Sequence, residues 1–475
     1  MHTETIVALS SGALPSGVAV IRASGAKARA LLESVCGDLP EPRRASLRTF
    51  RDGDGAVIDR GIALFFDAPK TVTGEDVAEF HLHGGRAVVA AFLSAATRIE
   101  GVRSAEAGEF TRRAFENGRI DLTEAEGLAD LLSAETEAQR RAAVNQASGA
   151  LRHVYEGWME RLTRARAMVE ASFDFADEGD VGEDADAGVR QAVDRLIGDM
   201  KTHLASAARG EILRTGFKVA IVGAPNAGKS SLLNALAERE AAIVTDIPGT
   251  TRDVISVTLD LGGYPVILSD TAGIRETKDK VEEIGVAKAR AAMRESDLVL
   301  ALEDPADAPG PISRFFSLMS MVKHPLGPMG LALPGQEDEE EARPTRAILT
   351  VRTKIDEVEG SPDDHRARAI EKGGYDFVTS VKTGEGLADL TRRIADLARE
   401  AAGDPTETIP LRQRQRELIA DALRILESYR DEPEAPAEVA AETLRRASTR
   451  LGALTGQVGV EDLLDVIFSE FCIGK

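Results

Sequence analysis

The chain has 475 residues, 43% of them hydrophobic and 29% charged, with a formal net charge of −21. That length predicts roughly two to four globular domains, and the acidic balance argues against a surface that grips nucleic acid over its whole extent. Cys36 and Cys472 are the two cysteines; this argues against a disulfide framework and for a reducing, cytoplasmic setting. Apolar runs stay well short of the ~18 residues of a membrane span. The start, Met1-His2-Thr3-Glu4-Thr5, has neither the basic stretch nor the apolar core of a signal peptide.

Residues 1–118 predict a small α+β unit. Thr5–Leu9, Gly17–Arg22, Ala56–Phe66 and Val77–Leu82 read as strands, and Ala26–Cys36 and Arg86–Ile99 as helices. His81 and His83 alternate on one strand face, but with no further His or Cys nearby they are expected to be structural.

Residues 119–215 turn Ala-, Glu- and Arg-rich. Leu122–Leu132, Glu135–Arg166 and Val189–Ala208 have apolar residues at helical spacing, with the acidic stretch Asp174–Asp186 as a turn. Residues 216–400 alternate strand and helix, the pattern of a mostly parallel sheet covered on both faces. Residues 401–475 return to helix, so the α/β domain is expected to be inserted into an all-α domain. The Arg-rich stretches Arg161–Arg166 and Arg412–Arg416 could form a local basic face, or simply solvated helix surface. Asp304–Pro344, with several prolines and the acid run Glu337–Glu341, predicts a surface insertion, partly disordered.

The chemistry starts at Gly223-Ala-Pro-Asn-Ala-Gly-Lys-Ser230, a G-x-x-x-x-G-K-S pattern. The apolar run Phe217–Val222 precedes it and Ser231–Leu236 reads as a helix start. Strand, glycine loop and helix together define a phosphate-binding loop, whose N–H groups face phosphates at a helix N-terminus. Lys229 would reach the β- and γ-phosphates and Ser230 would hold Mg²⁺. Asp270-Thr271-Ala272-Gly273 ends the strand Tyr264–Ser269; Asp270 suits the Mg²⁺ water shell and Gly273 the γ-phosphate. Between them Gly249-Thr250-Thr251 offers Thr251 as a further Mg²⁺ ligand. Thr353-Lys354-Ile355-Asp356 follows the strand Ala347–Val351, so Asp356 can accept from guanine N1–H and the exocyclic amine, with Ser380 near O6.

In this order the motifs spell a GTPase of the Ras-like fold; an ATPase would leave Thr-Lys-x-Asp unexplained. Two positions depart from the usual pattern. Thr353 replaces an asparagine, and Val381 an alanine, which predicts retained guanine preference with lowered affinity. Ile274 stands where many GTPases place a water-positioning glutamine. Arg275, Glu276, Glu282 and Glu283 are nearby candidates for that task, or solvated charges.

Gly223–Ser230, Thr245-Asp-Ile-Pro-Gly-Thr-Thr-Arg-Asp253 and Asp270–Thr277 resemble the MnmE (TrmE) family of tRNA-modification GTPases. So do the start Glu4–Ala8, the run Asn117–Glu126 and the end Phe471-Cys-Ile-Gly-Lys475, which lift the resemblance above that of GTPases in general. The resemblance covers the chain apart from 304–344. It implies nucleotide contacts from Asn226, Ala227, Gly228, Lys229, Ser230, Ser231, Thr245, Asp246, Ile247, Pro248, Gly249, Thr250, Thr251, Asp270, Thr271, Ala272, Gly273, Lys354, Asp356 and Ser380. It implies a K⁺ ion on Asn226, Thr245, Ile247 and Thr250, in place of an arginine finger, with G domains that dimerise. Pro248, where the family has alanine, could stiffen that loop.

The same resemblance makes Glu282 the water-orienting glutamate. It implies a 5-formyl- or methylene-tetrahydrofolate bound by Arg22, Glu79, Arg119 (usually lysine) and Lys475, and a constitutive homodimer. It places Cys472 near the folate, either as a catalytic thiol or as an inert tail residue; a prenylation box is remote, because Gly474 and Lys475 do not suit one. The implied activity is GTP hydrolysis that, with the flavoprotein MnmG, modifies C5 of the wobble uridine of certain tRNAs. A ribosome-assembly or regulatory GTPase switch is the alternative, and a membrane transport GTPase a more distant one.

Overall fold

The computed structural model describes residues 4–174, 182–223, 226–239, 242–243, 255–270, 295–304, 347–358, 375–458, 461–469 and 471–474. The chain divides into two compact units: Met1–Leu132, Asn145–Gly198 and Leu418–Lys475 form one, and Ser133–Val144 with Asp199–Glu417 the other.

The first unit opens with a six-stranded sheet built from β1 (Thr5–Leu9), β2 (Ser16–Ser24), β3 (Ser46–Arg51), β4 (Val57–Phe66), β5 (Val77–Gly84) and β6 (Val102–Ser104). Its order is β3-β4-β5-β2-β1-β6, antiparallel except for the parallel β1–β6 edge. Helices α1 (Ala28–Cys36) and α2 (Arg86–Thr97) cover one face. Leu31, Leu32, Phe92 and Ala96 meet Ile21, Phe50, Phe65 and Phe80 in the core, where Phe50 stands edge-on to Phe80 and Phe92. Burial of this aromatic surface is the main stabilising term. The strands and helices expected here are present; β3, β6 and α3 (Glu109–Glu116) are additional.

The helices of this unit are α4 (Leu122–Ser133), α5 (Glu137–Ala147), whose last residues belong here, α6 (Ala150–Asp174) and α7 (Gly182–Ala205) to Gly198, followed later in the chain by α11 (Gln413–Asp431) from Leu418, α12 (Ala437–Thr455) and α13 (Glu461–Ser469). The single helix expected over Glu135–Arg166 is two. The chain turns at Ser148–Gly149, where Gly149 takes φ 86°, a backbone state that side-chain-bearing residues avoid. The acidic turn expected over 174–186 lies partly outside the described residues; Gly182 onward is already helix. The tail returns to the sheet. Phe468 and Phe471 pack with Leu122, Ala125 and Phe115, Ile473 bridges Ala107, and Ser10 Oγ donates to the Gly474 carbonyl at 2.8 Å. A Cβ on Gly474 would stand 2.0 Å from the Leu9 carbonyl oxygen at φ 97°, so this seat demands glycine.

The second unit centres on a seven-stranded sheet of order β13-β12-β11-β7-β10-β9-β8. These are β7 (Phe217–Gly223), β8 (Ala242–Ile243), β9 (Ile255–Leu261), β10 (Tyr264–Asp270), β11 (Leu298–Glu303), β12 (Ala347–Arg352) and β13 (Phe377–Val378). Strands β13, β12, β11, β7 and β10 run parallel; β9 and β8 pair antiparallel at one side. The central strands are near-continuous apolar runs, as strands buried on both faces require. Leu232, Leu233 and Leu236 of α9 (Lys229–Arg239) and Leu390 and Ile394 of α10 (Leu387–Ala402) pack with Ile221, Leu268 and Leu300. Leu213 of α8 (Ala207–Thr215) joins the same core. The architecture is an α+β N-terminal part, helices, and a Ras-like α/β P-loop domain. Among the described residues, no helix is long and apolar enough to cross a membrane. The insertion at 304–344 falls almost wholly outside the described residues.

Candidate functional site

In the second unit the loop after β7 runs into α9 at Lys229. Asn226 takes φ 66° and Gly228 φ 85°, so the two residues flanking Ala227 sit in the left-handed region that asparagine and glycine tolerate. Lys229 is buried at 8% exposure, and its Nζ donates to the Gly223 carbonyl at 3.0 Å, closing the loop on itself. Ser230 Oγ donates to Asp270 Oδ2 at 2.5 Å, which joins the loop to the end of β10. Two oxygens so close, one a carboxylate, suit a hard divalent cation.

The second cluster sits beyond β12. Asp356 lies in a short 3-10 turn (Ile355–Glu357), and its Oδ1 accepts from Ser380 Oγ at 2.6 Å. The Ser380 hydroxyl, the backbone N–H and the nearby Lys382 and Lys354 hold the Asp356 carboxyl below its usual range. It therefore stays an anionic acceptor, the form that can receive two N–H donors from one ring edge. Thr353 is buried, and its hydroxyl lies 2.9 Å from the Ala227 carbonyl and 3.2 Å from that of Glu303. Lys354 reaches Asp304 at 2.6 Å. The structure thus brings Asn226 to Ser231, Asp270, Lys354, Asp356 and Ser380 to one end of the sheet, beyond the carboxyl ends of parallel strands, where open α/β sheets bind ligands. Asp304 escaped the sequence reading because it had been assigned to the insertion. Thr245, Asp246, Ile247, Pro248, Gly249, Thr250, Thr251, Thr271, Ala272, Gly273, Glu282 and Lys475 lie outside the described residues.

The first unit holds a cavity of about 580 Å³, within the size range of small-molecule sites. Arg22, Glu79 and Arg119 all line it. Arg22 and Glu79 are direct cross-strand partners of β2 and β5, and Arg22 Nε donates to Glu79 Oε1 at 2.9 Å. Arg119 Nε donates to the Thr71 carbonyl at 3.0 Å. The rest of the wall is mostly apolar and cationic, with Phe66, Phe110, Val72, Arg43 and Lys70. Arg43 donates to the Lys70 carbonyl and lies 5.8 Å over the Phe66 ring. These residues went unread because nothing local marks them; the 70–72 loop and α3 meet only in the fold. An anionic ligand with a flat ring fits this chemistry: arginines for carboxylates, a carboxylate for paired N–H donors, and aromatic walls.

Cys472 is exposed and sits outside the set lining this cavity, but its carbonyl faces Gly108 N at 3.5 Å, just before the helix that contributes Phe110. Cys36 is a different thiol: burial pushes it up to about 12, with the Arg48 charge opposing, which keeps it protonated and unreactive. His83 pairs with Asp59 at 2.9 Å, and His81 Nε2 stands 3.8 Å from Glu79 Oε2. Among the described residues, no group of three or more His, Cys, Asp or Glu side chains is placed to hold a metal.

Comparison with known proteins agrees along the whole length. A family model described as GTP-binding protein TrmE N-terminus matches residues 5–119, and one described as MnmE helical domain matches residues 122–472. A protein of Mesorhizobium japonicum named tRNA modification GTPase MnmE is 50% identical over 472 residues, 99% of each chain. Its namesake from Rhizobium johnstonii is 49% identical over 475 residues, all of both chains. That from Brucella anthropi is 48% identical over 472 residues, 99% of this chain and 98% of its own.

Proposed function

Because this chain belongs to the MnmE family of tRNA-modification GTPases, we propose that it hydrolyses GTP and, with an MnmG-type flavoprotein, modifies C5 of the wobble uridine of certain tRNAs to (carboxymethyl)aminomethyl-type products. The proposed organisation is a folate-binding and dimerising domain at 1–118, a helical domain at 119–215 and 401–475, and a G domain at 216–400. The setting is the cytoplasm, and the working form a homodimer bound to its flavoprotein and tRNA.

At the phosphates, Lys229 binds the β- and γ-groups, and Ser230 and Thr251 hold Mg²⁺, which supplies charge neutralisation. Asn226, with Thr245, Ile247 and Thr250, holds K⁺. Glu282 orients the attacking water, a task Ile274 cannot perform. Asp356 and Ser380 read guanine. The oxygen pair of Ser230 and Asp270 supports the cation reading.

In the N-terminal cavity Glu79 accepts the paired donors of a pterin-type ring, while Arg22 and Arg119 bind carbonyls or carboxylates of a tetrahydrofolate, with Lys475 and Cys472 at its edge. The observation that carries the tRNA-modification reading is this cavity lined by Arg22 and Glu79. A ribosome-assembly or regulatory switch with the same nucleotide loops has no use for it.

The test is mass spectrometry of tRNA nucleosides from a strain lacking this protein. C5-modified wobble uridine should vanish, return with the wild-type chain, and stay absent with Lys229→Ala. Normal levels in the deletion strain overturn the reading. Equal GTPase rates in K⁺ and Na⁺ remove the K⁺ assignment. Unchanged 5-formyltetrahydrofolate binding by Glu79→Ala removes the folate assignment.

A further inference from the structure

Strand β11 sends two successive residues to the turn that carries Asp356. The Glu303 carbonyl accepts the Thr353 N–H at 2.9 Å. The Asp304 carboxylate then meets Lys354 Nζ at 2.6 Å, with the two side chains 10% and 32% exposed. A short, shielded ion pair of this kind holds geometry better than a solvated surface pair. The Glu303 carboxylate accepts from the Tyr375 hydroxyl, so it is already engaged beside Asp304.

Lys354 itself is unusual. Its φ is 53°, in the left-handed region that a long side chain enters only under constraint. Its neighbours supply that constraint: Ile355 N–H donates to the Thr379 carbonyl at 3.3 Å, and Glu357 N–H to the Lys354 carbonyl at 3.0 Å. The Asp304 bond anchors the far end of the side chain.

We propose that Asp304 is a positioning residue for nucleotide recognition: by fixing Lys354 it holds the turn Thr353–Asp356 in its binding shape before the nucleotide arrives. The proposal rests on the reading of Asp356 as the guanine acceptor. A turn ordered in advance costs less to bind against, so its loss weakens affinity. Asp304 and Lys354 stand at the base-reading turn and not in the phosphate loop, so the loss falls on KM and Kd more than on kcat.

The experiment uses the full chain with Mg²⁺ and K⁺ present. GDP affinity is read by displacement of a fluorescent guanine nucleotide, and kcat and KM for GTP by phosphate release. Asp304→Asn is expected to raise the GDP Kd and the GTP KM about tenfold, the size of one lost charge-assisted bond. Asp304→Ser, whose hydroxyl is too short to reach Lys354 Nζ, is expected to raise both at least as much. Lys354→Met should weaken binding similarly, and adding Asp304→Asn to it should cost nothing more. Unchanged Kd in both Asp304 variants, an equal fall in kcat, or additive penalties in the double variant overturns the proposal. Asp356→Asn is run in parallel. If it leaves the preference for guanine over xanthine unchanged, the base-site reading fails. If it shifts that preference while the Asp304 variants bind normally, only the positioning role fails.

Discussion

The Thr353 hydroxyl lies 2.9 Å from the Ala227 carbonyl, so the turn that carries the base-side aspartate is tied to the phosphate loop itself. Both residues are buried, at 3% and 0% exposure. A threonine carries one hydroxyl proton, shared here between the Ala227 and Glu303 carbonyls. The bond makes the two halves of the nucleotide site a single body.

Thr353→Val keeps the shape and removes that donor. It leaves a buried carbonyl unsatisfied, at a cost of about 1–3 kcal/mol. The expected result is a GTP KM raised about 5- to 10-fold. Stopped-flow release of a fluorescent GDP checks it: faster dissociation is expected, and an unchanged rate would show that the brace is idle.

Asp356→Asn should exchange base preference. On the proposed base reading the carboxylate accepts from N1–H and from the amine at C2 of guanine; an amide can accept one and must donate the other. Xanthine has a carbonyl at C2 and suits the amide. The expected kcat/KM for GTP falls about 100-fold or more, two charge-assisted bonds being at stake. XTP hydrolysis should rise in the same assay.

The phosphate loop was legible because strand, loop and helix are contiguous in the chain, and the hydrophobic run Phe217–Val222 announces its own burial. Helix α3 was not, because its inward face is ionic. Glu109 and Arg113 are 8% and 0% exposed, where a sequence reading looks for apolar residues. Strand β3 was missed for the opposite reason: Leu47, its apolar residue besides Phe50, points to solvent at 57% exposure. The N-terminal cavity could not be read from spacing at all. Arg22 and Glu79 lie far apart in sequence and meet through strand register alone; family resemblance, not local pattern, picked them out.

The ionic face of α3 makes the first unit sensitive to acid. Glu109 accepts from Arg103 at 2.6 and 2.8 Å, from Arg113 at 3.0 Å and from the Glu106 N–H at 3.0 Å. Burial alone would raise its carboxyl, but these donors outweigh it and hold it at about 2. A depressed folded-state value means stability that is full above the unfolded value near 4.5 and lost as pH falls toward 2. Glu109→Gln should therefore cost about 3 kcal/mol at pH 7, from removing the carboxylate that Arg103 and Arg113 share while they keep Glu4 and Glu75, and much less at pH 3. Native-state hydrogen exchange in β1 and α3 across that range checks it; a penalty independent of pH would count against the assignment.

Asp121 carries the opposite sign. It caps α4: Oδ1 accepts from the Glu124 N–H at 2.8 Å and from Thr123 Oγ1 at 2.9 Å, while Glu124 Oε2 accepts the Asp121 N–H at 2.7 Å, a reciprocal capping box. Its other oxygen, Oδ2, is buried without a hydrogen-bond partner. Burial pushes the carboxyl up to about 6, against the lowering pull of the capping donors. A raised acid favours the neutral form in the folded state, so its stabilising contribution is full below about pH 4 and lost as pH rises through 6. Asn keeps the capping oxygen and cannot ionise. Asp121→Asn should thus gain about 2 kcal/mol of local stability at pH 8 and little at pH 4. Exchange protection of the α4 amides reads this directly, and a loss of protection at pH 8 would mean that the charged carboxylate is doing more for the helix N-terminus than its stranded oxygen costs.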